Sequence, residues 1–179
     1  KMDARLKELY LGPLFAQQVG WSEARRKVSS PVEVDGKMKK TLDKEIENEI
    51  QAHGKVGREA WNQGDLALAE KEFLACWEAI PEPKFDFDYA QILSGGMVKF
   101  FRNTHQIDKA KHWIEVMRTA YGPKADLDVE FYAATVHFEA GEFDKAYEIF
   151  LPQYDTYGKR PFEGEDKKYL EFVKQRAKG

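Results

Sequence analysis

Gly64-Asp65-Leu66-Ala67-Leu68-Ala69-Glu70-Lys71-Glu72-Phe73, closed by Pro81, decides how this chain is read. The stretch begins with a turn at Gly-Asp. The aspartate can cap a helix, apolar residues follow at helical spacing, and a proline ends the run. Two degenerate copies come later. His105-Gln106-Ile107-Asp108-Lys109-Ala110 leads to Ile114 and Met117, and Gly141-Glu142-Phe143-Asp144-Lys145-Ala146 leads to Phe150. A pattern that returns along the chain predicts stacked helical units.

Upstream of the first copy, Leu42, Ile46, Ile50, His53, Val56 and Ala60 step by three or four residues along one face. This predicts a helix from an N-cap at Thr41 to about Gln63. Gly54 and Gly57 lie inside it. Each costs about 1 kcal/mol against alanine, so another helix is expected to pass close to them. Downstream, helices are predicted over about 66–80, 87–103, 107–120, 127–140 and 143–150. Gly95-Gly96 is expected to interrupt the third of the chain's helices. Pro152 is expected to stop the helix that begins at Phe143, because proline removes a backbone donor and clashes one turn back. A Tyr-, Gly- and Pro-rich loop then spans 154–164. A last helix over about 165–177 carries Tyr169, Leu170 and Val173 on one side and charge on the other, as a solenoid cap requires.

Residues 1–40 follow no such pattern and form a separate N-terminal extension. Met2, Leu6, Leu9 and Tyr10 fit a short amphipathic helix over 2–11, and Leu14, Phe15, Val19 and Trp21 form a second apolar cluster. Residues 32–39 alternate around Asp35-Gly36, a hairpin signal; a polar linker with a turn is the plainer reading. An isolated two-stranded hairpin is marginal in water and needs a surface to lie on.

The copies set a register. Ala69, Ala110 and Ala146 are 41 and 36 residues apart. On that alignment the first unit places Gly57, Ala69, Phe73 and Cys76 where two helices meet. The second places Val98, Ala110, Ile114 and Met117 there, and the third Ala134, Ala146 and Phe150. A small residue lets the helices of a pair approach, and a large one fills the gap beside it. Helix–turn–helix units with this distribution, at a period near 34 residues, are the tetratricopeptide signature.

On these residues the chain resembles the tetratricopeptide family over about 41–178. It is more narrowly similar to a group of small bacterial repeat proteins, through Ala79-Ile80-Pro81-Glu82-Pro83-Lys84 and Phe162-Glu163-Gly164-Glu165-Asp166-Lys167-Lys168-Tyr169-Leu170-Glu171-Phe172. The resemblance implies an all-α fold of about three helix-turn-helix units with a C-terminal capping helix, over 41–179. It also implies a role as an immunity protein of a polymorphic-toxin system, with a cognate toxin domain as partner. A scaffold or adaptor that assembles a larger complex is the alternative.

Bulk composition agrees with a folded chain. Hydrophobic residues make up 42% of the chain and aromatics 13%, which argues against a disordered chain. The net charge of −3 comes without a dense basic cluster, so no nucleic-acid partner is expected. No apolar run approaches the ~18 residues of a membrane span, and no signal-peptide pattern is present. The expectation is a cytoplasmic protein with no membrane partner.

Little chemistry is legible. Cys76 is the only cysteine and lies on an apolar helix face, which favours an inert thiol. His53, His105, His112 and His137 have no zinc-ligand spacing. Gly95-Gly96 lacks the strand and lysine of a phosphate loop. The expectation is no enzyme, no catalytic residue, no metal and no cofactor.

The residues expected to bind a partner follow from the resemblance, in which the first helix of each pair lines a concave groove. They are Arg58, Trp61 and Asn62 in the first unit, and Lys99, Arg102 and Asn103 in the second. The third gives Phe138, on a face with Phe131, Thr135 and Glu139. Arg58, Lys99 and Arg102 in one concavity point to an acidic protein segment, because guanidinium and amide groups bind carboxylates through charge-assisted bonds. Trp61 and Phe138 would anchor apolar side chains. The lysine–asparagine clamp for chaperone tails is not matched, since Gly54 stands at one of its places.

Overall fold

The computed structural model describes residues 33–34 and 36–179. The expected helix over 2–11 and the cluster Leu14–Trp21 lie outside the described residues.

A short hairpin opens the described chain. Strand β1 (Glu33–Val34) pairs antiparallel with β2 (Lys37–Met38), Val34 opposite Lys37. Just after the hairpin, Lys39 and Lys40 tie the chain to the linker ahead of the third helix. Lys40 N–H donates to the Asp86 carbonyl at 2.7 Å, and Asp88 N–H donates to the Lys40 carbonyl at 3.0 Å. Lys39 Nζ also donates to the Phe85 carbonyl.

Seven helices follow: α1 (Lys44–Asn62), α2 (Leu66–Glu78), α3 (Asp88–Asn103), α4 (Ile107–Tyr121), α5 (Leu127–Glu139), α6 (Phe143–Tyr157) and α7 (Lys167–Ala177). Short 3-10 turns at Lys84–Asp86 and Arg160–Phe162 precede α3 and α7. The fold is all-α apart from the hairpin. Helix α1 packs along α2, α3 along α4, and α5 along α6; α4 meets α5, and α7 lies on α6. Among the described residues no helix is long and apolar enough to cross a membrane.

The three turns inside these pairs are built alike. Gly64, His105 and Gly141 take φ of 81°, 58° and 76°, the left-handed region that ends many helices. In each, the next residue's N–H reaches back five positions: Asp65 to Ala60 at 2.9 Å, Gln106 to Phe101 at 2.8 Å, Glu142 to His137 at 2.9 Å. This satisfies carbonyls that a helix end leaves open. His105 is the described non-glycine residue that adopts this conformation. The shared geometry makes Trp61, Arg102 and Phe138 equivalent, since their carbonyls accept from Gly64, His105 and Gly141 N–H.

The register holds in the packing. Ala69, Ala110 and Ala146 are each 0% exposed. A Cβ at Gly57 would lie 2.6 Å from the Phe73 ring, so only glycine lets α1 and α2 close to this distance. Aromatic edges knit the layers: Trp77 meets Trp113 at 5.1 Å, and Phe131 meets Phe150 at 5.3 Å.

Three boundaries differ from the sequence expectation. Helix α1 starts after Asp43 rather than Thr41, and Asp43 makes no side-chain cap bond. Helix α3 runs unbroken through Gly95-Gly96. A Cβ at Gly95 would stand 3.3 Å from Tyr132 and 3.4 Å from Met117, so the glycine makes room for α4 and α5. That tertiary packing outweighs a propensity cost of about 1 kcal/mol per glycine. Helix α6 passes through Pro152 to Tyr157. Pro152 is exposed, so the carbonyl it deprives can be hydrated. Beyond it, Gln153 donates to the Leu127 carbonyl at 3.1 Å and Tyr154 packs on Phe162, which holds the last turn.

Candidate binding site

The residues expected to share one groove fall into three environments. In the first, Arg58 and Trp61 line a cleft of about 50 Å³ between α1, α2 and α3. Ile50, Gly54, Arg58 and Trp61 share one face of α1 at helical spacing. Phe73 and Cys76 close the cleft from α2, and Met97 from α3. Trp61 is half-buried, set edge-on to Phe100 at 5.1 Å and Phe73 at 6.2 Å. Asn62 is exposed. Arg58 is half-buried, and burial holds its guanidinium below the ordinary value despite the opposing pull of Cys76 and Glu59. Cys76 Sγ lies 3.3 Å from the Ile50 carbonyl, to which it donates. Burial pushes this thiol up to about 12, so it stays protonated at neutral pH.

The second environment corrects the expected groove. Lys99 and Arg102 are buried, with side chains 0% and 2% exposed. They face a third buried charge, Glu165, which stands just ahead of α7. Lys99 Nζ lies 2.8 Å from Glu165 Oε1, and Arg102 Nη2 donates to Glu165 Oε2 at 3.1 Å. Arg102 Nη1 donates to Thr135 Oγ1 at 2.8 Å, and its Nε donates to Asn103 Oδ1 at 2.9 Å, although Asn103 itself is exposed. Tyrosine faces take the excess positive charge: Lys99 sits over Tyr132 at 5.0 Å and Arg102 over Tyr169 at 5.6 Å. Burial works against the Arg102 charge, but Glu165, Tyr169 and Tyr132 together more than offset it and hold Arg102 above its ordinary value. These two cations are not presented to a partner, because the chain's own C-terminal segment uses them.

Phe138 forms the third environment. It packs edge-on against Tyr169 and Phe172, both at 5.2 Å, and Phe143 at 5.3 Å. Tyr169 donates to Glu139 Oε1 at 2.7 Å, and burial raises its phenol. Phe138 therefore seats α7 on α5 and α6. Phe131 is fully buried against Phe162 at 5.1 Å, and Thr135 is buried beside Arg102.

Sequence reasoning missed Glu165, Tyr132 and Tyr169 as partners of the cations. One signal was available: Lys99 stands in Met97-Val98-Lys99-Phe100-Phe101, a run too apolar for a solvated lysine.

The histidines serve the helix pairs. His53 Nδ1 lies 2.6 Å from Glu72 Oε2 and ties α1 to α2, and His112 sits edge-on to Trp113 at 5.8 Å. Among the described residues no group of three or more histidine, cysteine or acidic side chains could hold a metal ion. A second hollow, about 1050 Å³, lies between the end of the hairpin, Phe85 and the α4–α5 loop. Much of its charge is already committed: Lys40 to Asp86, Arg118 to Glu130, and Asp126 to the α5 N-terminus.

Comparison with family models, curated protein sequences and solved structures finds no match. What the fold defines is an all-α chain of paired helices with an apolar cleft on its first pair.

Proposed function

We propose that this chain is a protein-binding module built from tetratricopeptide-like helix pairs, and that it acts by occupying one partner stoichiometrically. The observation that carries this reading is the α1–α3 cleft. It combines apolar walls, a half-buried tryptophan and a half-buried arginine, a composition typical of binding hot spots. The three identical turns and the fully buried register alanines support the repeat assignment.

Within that class the reading is an immunity protein that neutralises a cognate bacterial toxin domain in the cytoplasm, without chemistry of its own. Its support is the resemblance carried by Ala79–Lys84 and Phe162–Phe172. The second segment also contains Glu165, Tyr169 and Phe172, which close the fold onto Lys99, Arg102 and Phe138.

The test is co-expression with the product of the neighbouring open reading frame. Toxicity of the neighbour alone, rescue by this chain and a stable one-to-one complex are the expected outcome. A harmless neighbour that binds stably turns the reading to a scaffold. A harmless neighbour that does not co-purify removes the toxin reading.

A further inference from the structure

The apolar cleft on the first pair runs along α1 from Ile50 to Trp61, about 16 Å at the ~1.5 Å rise per residue of a helix. Its lining comes from α1, α2 and α3, and no other described element contributes to it. Trp61, Ile92 and Leu93 are half-buried along it. Its volume of about 50 Å³ is under two water volumes at the ~30 Å³ of liquid water, so it takes the end of one side chain.

The hairpin brings the chain to one end of this cleft. Glu33 stands opposite Met38, and two residues further on the Lys40 backbone is bonded to Asp86 and Asp88, next to Tyr89 of the cleft wall. At about 5 Å between strands and about 3.3 Å per residue, Glu33 is within about 20 Å of the cleft mouth. Leu14, Phe15, Val19 and Trp21 form the apolar cluster nearest to the hairpin on its N-terminal side. Twelve residues separate Trp21 from Glu33, a reach of up to ~40 Å, so the cluster can lie anywhere along the cleft.

Charge favours the same placement. Residues 1–32 carry six Lys and Arg against three Asp and Glu, and the rest of the chain carries 22 against 28. Arg25-Arg26-Lys27 stands between the apolar cluster and the hairpin, and α1 opens on Glu45, Glu47 and Glu49. Glu47 accepts from the Tyr89 hydroxyl at 2.8 Å, which puts its carboxylate beside the cleft wall. The hollow of about 1050 Å³ that also begins at the hairpin is rimmed by five Lys and Arg against three Asp and Glu, so it repels the same basic triplet.

We infer that the α1–α3 cleft receives the chain's own segment Leu14–Trp21, which inserts the edge of Trp21 and lies across the site as a strap that a partner has to displace. The docking is a property of this chain alone; the strap's role as a competitor rests on the protein-binding reading above. A tethered segment acts at roughly millimolar effective concentration, so a weak contact is enough to keep the cleft filled.

The first test uses the full chain with Trp21 replaced by p-benzoylphenylalanine, irradiated and mapped by mass spectrometry. Crosslinks within one molecule to the cleft residues of α1 or α3 are expected. Crosslinks to the hollow beside the α4–α5 loop, crosslinks between two copies, or none at all overturn the inference. The second test titrates a fluorescein-labelled peptide of residues 12–27 into the full chain, followed by anisotropy. A chain with Leu14, Phe15, Val19 and Trp21 all changed to Ser should bind it saturably, and wild type at least tenfold more weakly, because its own strap competes. Adding Leu93→Glu to the Ser-substituted chain should abolish binding. Equal binding by wild type and the Ser-substituted chain, or indifference to Leu93→Glu, overturns the inference. If position 21 crosslinks outside the cleft while the co-expressed neighbour is still captured, the strap is wrong and the protein-binding reading stands. If it crosslinks to the cleft and no partner is captured, the docking stands and that reading falls.

Discussion

Arg58 in the first helix pair and Lys99 in the second occupy equivalent places, yet they live differently. Lys99 is 0% exposed, with Glu165 at 2.8 Å and a tyrosine face above it. Arg58 is half-buried at the edge of a cleft. The same position of the repeat has become a structural charge in one pair and a candidate recognition charge in the other. At Lys99 a later part of the chain folds back to meet the cation and takes it out of solvent. Helix position alone therefore does not identify a binding residue in such an array.

The largest expected effect comes from removing the answering charge. Glu165→Ala leaves two cations buried without their carboxylate and should cost about 3–5 kcal/mol in urea unfolding, the usual cost of breaking a buried pair. Arg58→Ala should cost no more than about 1 kcal/mol, as for a half-exposed side chain. Equal losses would break the comparison.

Gly57→Ala comes next. The added methyl would meet the Phe73 ring at 2.6 Å, and overpacking of about 1–3 kcal/mol should outweigh the gain in helix propensity. Gly95→Ala, with 3.3 Å to Tyr132, should be much milder. A reversed order in thermal unfolding would mean that α1 and α2 can part more easily than their packing implies.

Asp88 sharpens the comparison from the acidic side. It is a half-buried carboxyl that burial pushes up to about 6, with two backbone amides opposing and Glu47 adding to the rise. Its folded pKa exceeds its unfolded one, so the folded state holds the extra proton between about pH 4 and 6. Stability should therefore fall as pH rises through that window and then level off. Asp88→Asn should flatten this descent and make the protein more stable at pH 7. An unchanged pH profile would show that the carboxyl is better solvated than its surroundings indicate.

The smallest expected effect is kinetic. Cys76 should react with a thiol reagent at pH 8 only as fast as α1 and α2 open, because burial holds it protonated. Gly57→Ala should speed that labelling, and Glu165→Ala should speed it less, since Glu165 closes the other end of the array.

Much of this fold was legible. Apolar steps of three and four, the Gly-Asp turn and the three alanines marked the pairs, because each is a local requirement of helix packing. Asp65 was legible as a cap, and its side chain accepts from Leu68 N–H. The continuity of α3 and α6 was not legible, because Gly95 and Pro152 are breakers by propensity and are tolerated only for what their neighbours do. The candidate site was half legible. Arg58 and Trp61 do line a cleft, but Lys99, Arg102 and Phe138 were grouped with them by the resemblance's groove register and lie elsewhere. Their true partners, Glu165 and Tyr169, are distant in sequence, and no local pattern announces such a pairing.

Glu165 comes 63 residues after Arg102. While the chain is being made, α3 leaves the ribosome with two cations meant for the interior and no acid to receive them. The early pairs can form, but the second cannot dry its core until the loop before α7 exists. Synthesis order thus acts as a timer: the first pair can close before the second.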